Sequence, residues 1–180
     1  MARARHALAS PPNLVSLTRL VLAPCIVAAL AVWGRGLATA LFAVAVLTDW
    51  LDGFLARRLD MVSNAGRILD PVADKVVIDS VAVALACRGE LPVWVAGLLV
   101  VRDIGIVAGA LALSRGGGAV PASNTIGKIA FTVIGLMVLV HLADWSAVEP
   151  WTLWAGVGAA VVSAVSYART GSIAGRKDAP

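Results

Sequence analysis

The chain has 180 residues, 59% of them hydrophobic and 14% charged, with a formal net charge of +4. A mean hydropathy of +0.87 excludes an ordinary soluble domain, and the length fits a single domain. The cationic surplus comes without an exposed basic surface carrying aromatic platforms, so nucleic-acid binding is excluded and contact with anionic lipid is expected.

At about 20 apolar residues per bilayer crossing, the apolar segments predict six helices, at 14–33, 38–58, 70–87, 91–113, 126–143 and 151–168. The expected fold is all-α: an integral membrane bundle of six transmembrane helices over 1–170, followed by a flexible tail at 171–180. With the N-terminus cytoplasmic, Arg3, Arg5, Arg19, Arg57, Arg58 and Arg67 fall on the inner side, as do Arg115, Lys128 and the cations after Arg169. Arg35 and Arg88 are left outside. This asymmetry places both termini inside. Cys25 and Cys87 lack ligand spacing and read as buried structural thiols. His6 and His141 read as surface or interfacial, and Trp94, Trp145 and Trp151 as an interfacial belt.

The second and third segments carry four aspartates: Asp49-x-x-Asp52-Gly53-x-x-Ala56-Arg57, then Gly66-x-x-x-Asp70-x-x-x-Asp74. An ionised carboxylate at the bilayer centre costs roughly 2.5–3.5 kcal/mol, so four together call for a compensating charge. On a helix, Asp49, Asp52, Gly53 and Ala56 share one face, with Arg57 at its edge. Small residues admit close approach of a ligand to the backbone, and Arg57 presents a fork suited to phosphate. Asp70-Pro71 reads as a helix start, with Asp74 one turn on along the same side. Oxygen donors alone suit Mg²⁺, Mn²⁺ or Ca²⁺ and not zinc. A two-metal carboxylate site beside an arginine points to phosphoryl chemistry, with Asp74 as the general base for an acceptor hydroxyl. The structural alternative pairs these acids with Arg57, Arg58, Arg67 and Lys75.

The complete run from Asp49 to Asp74, with its eight fixed residues, resembles the signature of the CDP-alcohol phosphatidyltransferase family. The resemblance extends to Pro12-Asn13-Leu14-x3-Thr18-Arg19 and Gly127-Lys128-x3-Thr132. It implies a six-helix bundle that forms a homodimer, a CDP-linked donor, and release of CMP. It implies metal binding (Mg²⁺ or Mn²⁺, two ions) by Asp49, Asp52, Asp70 and Asp74. It also implies a CDP pocket made by Asn13, Thr18, Asp52, Gly53, Ala56, Arg57 and Gly66. The contexts Leu47-Thr48-Asp49-Trp50-Leu51 and Leu69-Asp70-Pro71-Val72-Ala73 are similar to the glycerol-acceptor branch. That branch implies a membrane enzyme of phospholipid synthesis, in a bacterial plasma membrane with a cytoplasm-facing site, that carries phosphatidyl from CDP-diacylglycerol to glycerol 3-phosphate.

Arg102-Asp103 stands where phosphatidylglycerophosphate synthases of this family carry Arg-Glu, and Ala110 stands where they carry a second Arg. That departure resembles cardiolipin synthases, which use phosphatidylglycerol as acceptor. Arg102, Arg115 and Lys128 are the candidate partners of the acceptor phosphate, and Asp103 a local partner that orients Arg102. An ion transporter or channel is the remote alternative; its acids would spread across the bilayer depth, whereas here they gather at one end. Gly127-Lys128 is no nucleotide-binding P-loop, since Ala122 replaces the required glycine. Gly105-x3-Gly109 is read as a site of close helix packing, within the chain or across a dimer, and Gly156-x-Gly158 as helix packing.

Overall fold

The computed structural model describes residues 11–59, 66–115 and 125–177, with side chains described over 18–48, 73–109, at Leu111 and over 125–169. These residues form six α-helices: α1 (Pro11–Val32), α2 (Arg35–Leu59), α3 (Gly66–Cys87), α4 (Val93–Arg115), α5 (Thr125–Leu142) and α6 (Glu149–Lys177). Every expected helix forms within a few residues of its expected bounds, apart from two ends. Helix α3 begins at Gly66, not at an Asp70 cap, because only one turn precedes Pro71 and the proline forfeits few ladder bonds there. Helix α6 runs on to Lys177, through most of the segment expected to be a flexible tail. Ala174, Arg176 and Lys177 are good helix formers, and the two cations lie at the negative end of the helix dipole.

The chain divides into two compact units, Met1–Leu85 and Ala86–Pro180. In the first, α1 packs against α2 through a two-residue connection, so the two run antiparallel. Gly34 closes α1 with φ +90°, its N–H donating to the Ala29 carbonyl at 2.9 Å. A left-handed residue at this position satisfies an orphan carbonyl at the helix end, and glycine adopts it without steric cost. The buried apolar side chains are Ala23, Ile26, Ala29 and Leu30 on α1, Ala38, Phe42 and Ala45 on α2, and Ala73, Val77, Ile78, Val81, Ala82 and Leu85 on α3.

In the second unit, α5 packs against α6 and α4 against α6. The α5–α6 turn is closed by Asp144 at φ 58°, with the Trp145 N–H donating to the Val140 carbonyl at 3.2 Å. Gly156 marks the closest approach of the two helices. A Cβ there would run into the Met137 sulfur and stand 3.1 Å from Met137 Cβ, as expected for a packing glycine. Gly158, Gly105 and Gly109 face open space, so close packing within the chain is not met at those three among the described residues.

Large apolar side chains also cover the outside: Val32, Trp33, Val93, Val101, Trp151 and Trp154 are each more than half exposed. A helix apolar on both faces suits lipid better than water. By length and composition α5, at Thr125–Leu142, and Glu149–Arg169 of α6 can cross a bilayer. Two of their hydroxyls are met within the helix: Thr132 Oγ1 donates to the Lys128 carbonyl and Thr152 Oγ1 to that of Val148, each at 3.1 Å. Cys25 and Cys87 are exposed free thiols, not buried ones; on helices apolar all round, hydrophobicity does not say which face turns inward. His141, expected at the surface, is buried. Its Nδ1–H donates to the Met137 carbonyl at 2.8 Å, which removes the cost of burying that ring nitrogen.

Candidate active site

Asp74 is the one aspartate of the motif whose side chain is described. It lies on α3 beside fully buried Ala73 and forms an ion pair with Arg19 of α1, Oδ1 to Nη1. The Arg19 side chain is 6% exposed and that of Asp74 19%. Two charges so removed from solvent hold each other, since either alone would carry a desolvation penalty of several kcal/mol. The pairing joins positions 55 residues apart. It differs from the alternative in which the acids bind Arg57, Arg58, Arg67 or Lys75. The sequence marks Arg19 by charge as a cytoplasmic-side cation and by its place beside Thr18 in the N-terminal part of the family resemblance, but not as a partner of Asp74.

The side chains of Asn13, Asp49, Asp52, Gly53, Ala56, Arg57, Gly66 and Asp70 lie outside the described residues, although all eight positions are helical. Among the described residues no three metal-ligating side chains gather. The helix register nonetheless relates the backbone positions. Arg19 lies thirteen residues before the end of α1 and Asp49 fourteen after the start of α2. Both therefore stand ~20 Å from the hairpin turn at 1.5 Å per residue. Arg19 is paired with Asp74, so positions 49 and 74 share its level. Asp52 and Asp70 are each displaced from it by about one helical turn. Thr18 is exposed and takes part in an interaction of its own.

The candidate acceptor residues lie in the second unit. Arg102 on α4 is buried, with Nη1 2.9 Å from Asp103 Oδ1 and Nη2 donating to Ser163 Oγ of α6 at 2.9 Å. The local Arg102–Asp103 pair is as expected. Ser163, fully buried, carried no signal in the sequence. The Arg102 Nε is buried without a hydrogen-bond partner. Tyr167, one turn beyond Ser163, feels the charges of both Arg102 and Asp103. Eight residues before Arg102, Trp94 meets Trp154 with ring centroids 6.3 Å apart. These two contacts, spaced alike along both helices, make α4 and α6 parallel.

Through the Met137–Gly156 contact, Ser163 stands level with Ala130 of α5, so Lys128 lies within ~3 Å of the Arg102 level along the axis. Lys128 is exposed. Arg115 ends α4 thirteen residues beyond Arg102, ~20 Å along the helix. The Arg115 side chain lies outside the described residues.

The family model for CDP-alcohol phosphatidyltransferase matches residues 9–162. The chain belongs to the CDP-alcohol phosphatidyltransferase family. It is 39% identical over 145 residues to a protein of Mycobacterium tuberculosis (strain ATCC 25618 / H37Rv) named probable phosphatidylglycerophosphate synthase, covering 75% of this chain and 68% of that protein. It is 33% identical over 178 residues to the CDP-diacylglycerol–glycerol-3-phosphate 3-phosphatidyltransferase of Bacillus subtilis (strain 168), covering 87% and 92% of the two chains. It is also 34% identical over 147 residues to the cardiolipin synthase (CMP-forming) of Streptomyces coelicolor (strain ATCC BAA-471 / A3(2) / M145), covering 75% and 66%. This transferase family was the one expected from the aspartate motif.

Proposed function

We propose that this chain is a phosphatidylglycerophosphate synthase, transferring the phosphatidyl group of CDP-diacylglycerol to glycerol 3-phosphate with release of CMP. The observation that carries this reading is the complete aspartate motif in a chain whose relatives from Mycobacterium and Bacillus are named for that reaction. The six helices are read as one transmembrane bundle in a bacterial plasma membrane, with the motif at the cytoplasmic side and the functional protein a homodimer. The exposed apolar residues and the distribution of cations support the membrane placement.

In this reading the CDP moiety lies along α1, α2 and the start of α3, against Asn13, Thr18, Gly53, Ala56, Arg57 and Gly66. Small residues let the diphosphate approach the backbone, and Arg57 offers paired donors to it. Asp49, Asp52, Asp70 and Asp74 form an all-oxygen donor set, which fits Mg²⁺ or Mn²⁺. When bound, such ions offset negative charge on the diphosphate. Asp74 accepts the proton of the acceptor hydroxyl as its oxygen bonds to the phosphorus nearest the lipid. The bond from that phosphorus to the CMP oxygen breaks, and CMP leaves. Arg102 and Lys128, at nearly one level, and Arg115 are the acceptor-phosphate candidates.

A specific observation favours a second reading, cardiolipin synthase with phosphatidylglycerol as acceptor. Arg102 is followed by Asp, and Ala110 stands in place of a second Arg, while the Streptomyces relative carries that name. The test is incubation of purified protein with CDP-diacylglycerol and, in parallel, glycerol 3-phosphate, phosphatidylglycerol, inositol phosphate or serine, with products read by mass. Phosphatidylglycerophosphate and CMP are expected. Cardiolipin alone would establish the second reading, and CMP release with neither acceptor would overturn both.

A further inference from the structure

We propose that Arg19 is a positioning residue that aims the Asp74 carboxylate at the reacting hydroxyl; this rests on the reading above that Asp74 takes the proton. Arg19 lies on α1, Asp74 on α3, and the ion pair between them is largely withdrawn from solvent. A cation that served only to orient the chain in a membrane would extend its head group to water or lipid head groups. Arg19 turns inward instead, with 5% of its surface exposed.

The surroundings make the pair rigid. One turn after Arg19 comes Ala23, 2% exposed, and the residues flanking Asp74 along its inner side, Ala73 and Val77, are 0% and 4% exposed. A guanidinium is planar and offers its donors in fixed directions, so the bond to Oδ1 restrains where the carboxylate sits. Catalytic groups work when held within about 0.5 Å of their productive geometry by neighbours that are themselves locked. A misplacement of about 1 Å costs on the order of 100-fold in rate. Arg19 meets the requirement for such a neighbour: it is buried, charged, on a helix, and bonded to the group that must be aimed.

The experiment compares Arg19→Ala, Arg19→Gln, Arg19→Lys, Asp74→Asn and the Arg19→Ala/Asp74→Asn double variant, assayed in detergent with CDP-diacylglycerol and the acceptor found above. For Arg19→Ala, kcat is expected to fall about 100-fold, with KM for both substrates within about threefold. Arg19→Lys should recover part of the loss. The double variant should be no slower than Asp74→Asn alone, as for a residue that acts through Asp74. Should Arg19→Ala fail to fold, Arg19→Gln and Arg19→Lys carry the same kcat readout. A raised KM with kcat intact would make Arg19 a substrate contact and end the proposal. So would a double variant slower than Asp74→Asn by the full Arg19→Ala factor. Wild-type turnover in Asp74→Asn would remove Asp74 from its assigned role, whereas a dead Asp74→Asn beside a normal Arg19→Ala would overturn the Arg19 proposal alone.

Discussion

Two buried arginines anchor the two halves of this chain, and they are held in different ways. Arg19 takes its carboxylate from another helix, 55 residues away, and that carboxylate is the last acid of the family motif. Arg102 takes its carboxylate from the next residue and reaches the other helix only through the Ser163 hydroxyl. In the first unit, the tie between helices and the candidate reactive group are the same side chain. In the second, the charge is balanced on α4 itself, and the tie to α6 is one hydrogen bond. Loss of the first tie should therefore register mainly in turnover, and loss of the second mainly in stability.

The largest effects test the first unit. Chelation with excess EDTA should bring phosphatidyl transfer to background, and activity that survives would remove divalent ions from the reading. Asp74→Asn should lower kcat by about 10³-fold, within the range contributed by a general base, while CDP-diacylglycerol binding is retained. Turnover near wild type would show that the buried pair is structural in both units.

Arg102→Ala leaves Asp103 buried with its guanidinium partner gone, and breaking such a pair costs about 3–5 kcal/mol. Thermal unfolding in detergent should register this as a large fall in midpoint. An unchanged midpoint with a tenfold rise in acceptor KM would instead place Arg102 in the acceptor site and erase the contrast between the units. Ser163→Ala removes the bond between helices and leaves a guanidinium donor unmet, and should cost about 1.5–3 kcal/mol with kcat preserved. The smallest effect belongs to the α5–α6 turn. Asp144 adopts φ 58°, a conformation that glycine enters without a Cβ penalty, so Asp144→Gly should stabilise by under about 1 kcal/mol.

The four aspartates, their glycines and Arg57 were legible because helical spacing is a local property: residues three and four apart share a face whatever surrounds the helix. The six helices were legible for a similar reason, since the length of an apolar run is read along the chain. Asp70-Pro71 misled at the start of α3, where a proline one turn inside the helix looks like a proline at its first position. The inward and outward faces were the harder part. Val101 and Leu99 are equally apolar, yet one is 71% exposed and the other 1%. The same ambiguity exposed both cysteines, buried His141, and left Gly105 and Gly109 facing open space.

By itself, then, the linear order of residues determined the helices, the family and the positions of the acids, because each follows from periodicity, segment length or fixed short gaps. Only the tertiary structure decided that Arg19 reaches Asp74 and that Arg102 reaches Ser163. Those partners lie 55 and 61 residues apart. Which cation meets which acid or hydroxyl depends on how helices of uniform apolarity rotate about their axes, and only the packing of neighbouring helices sets that rotation.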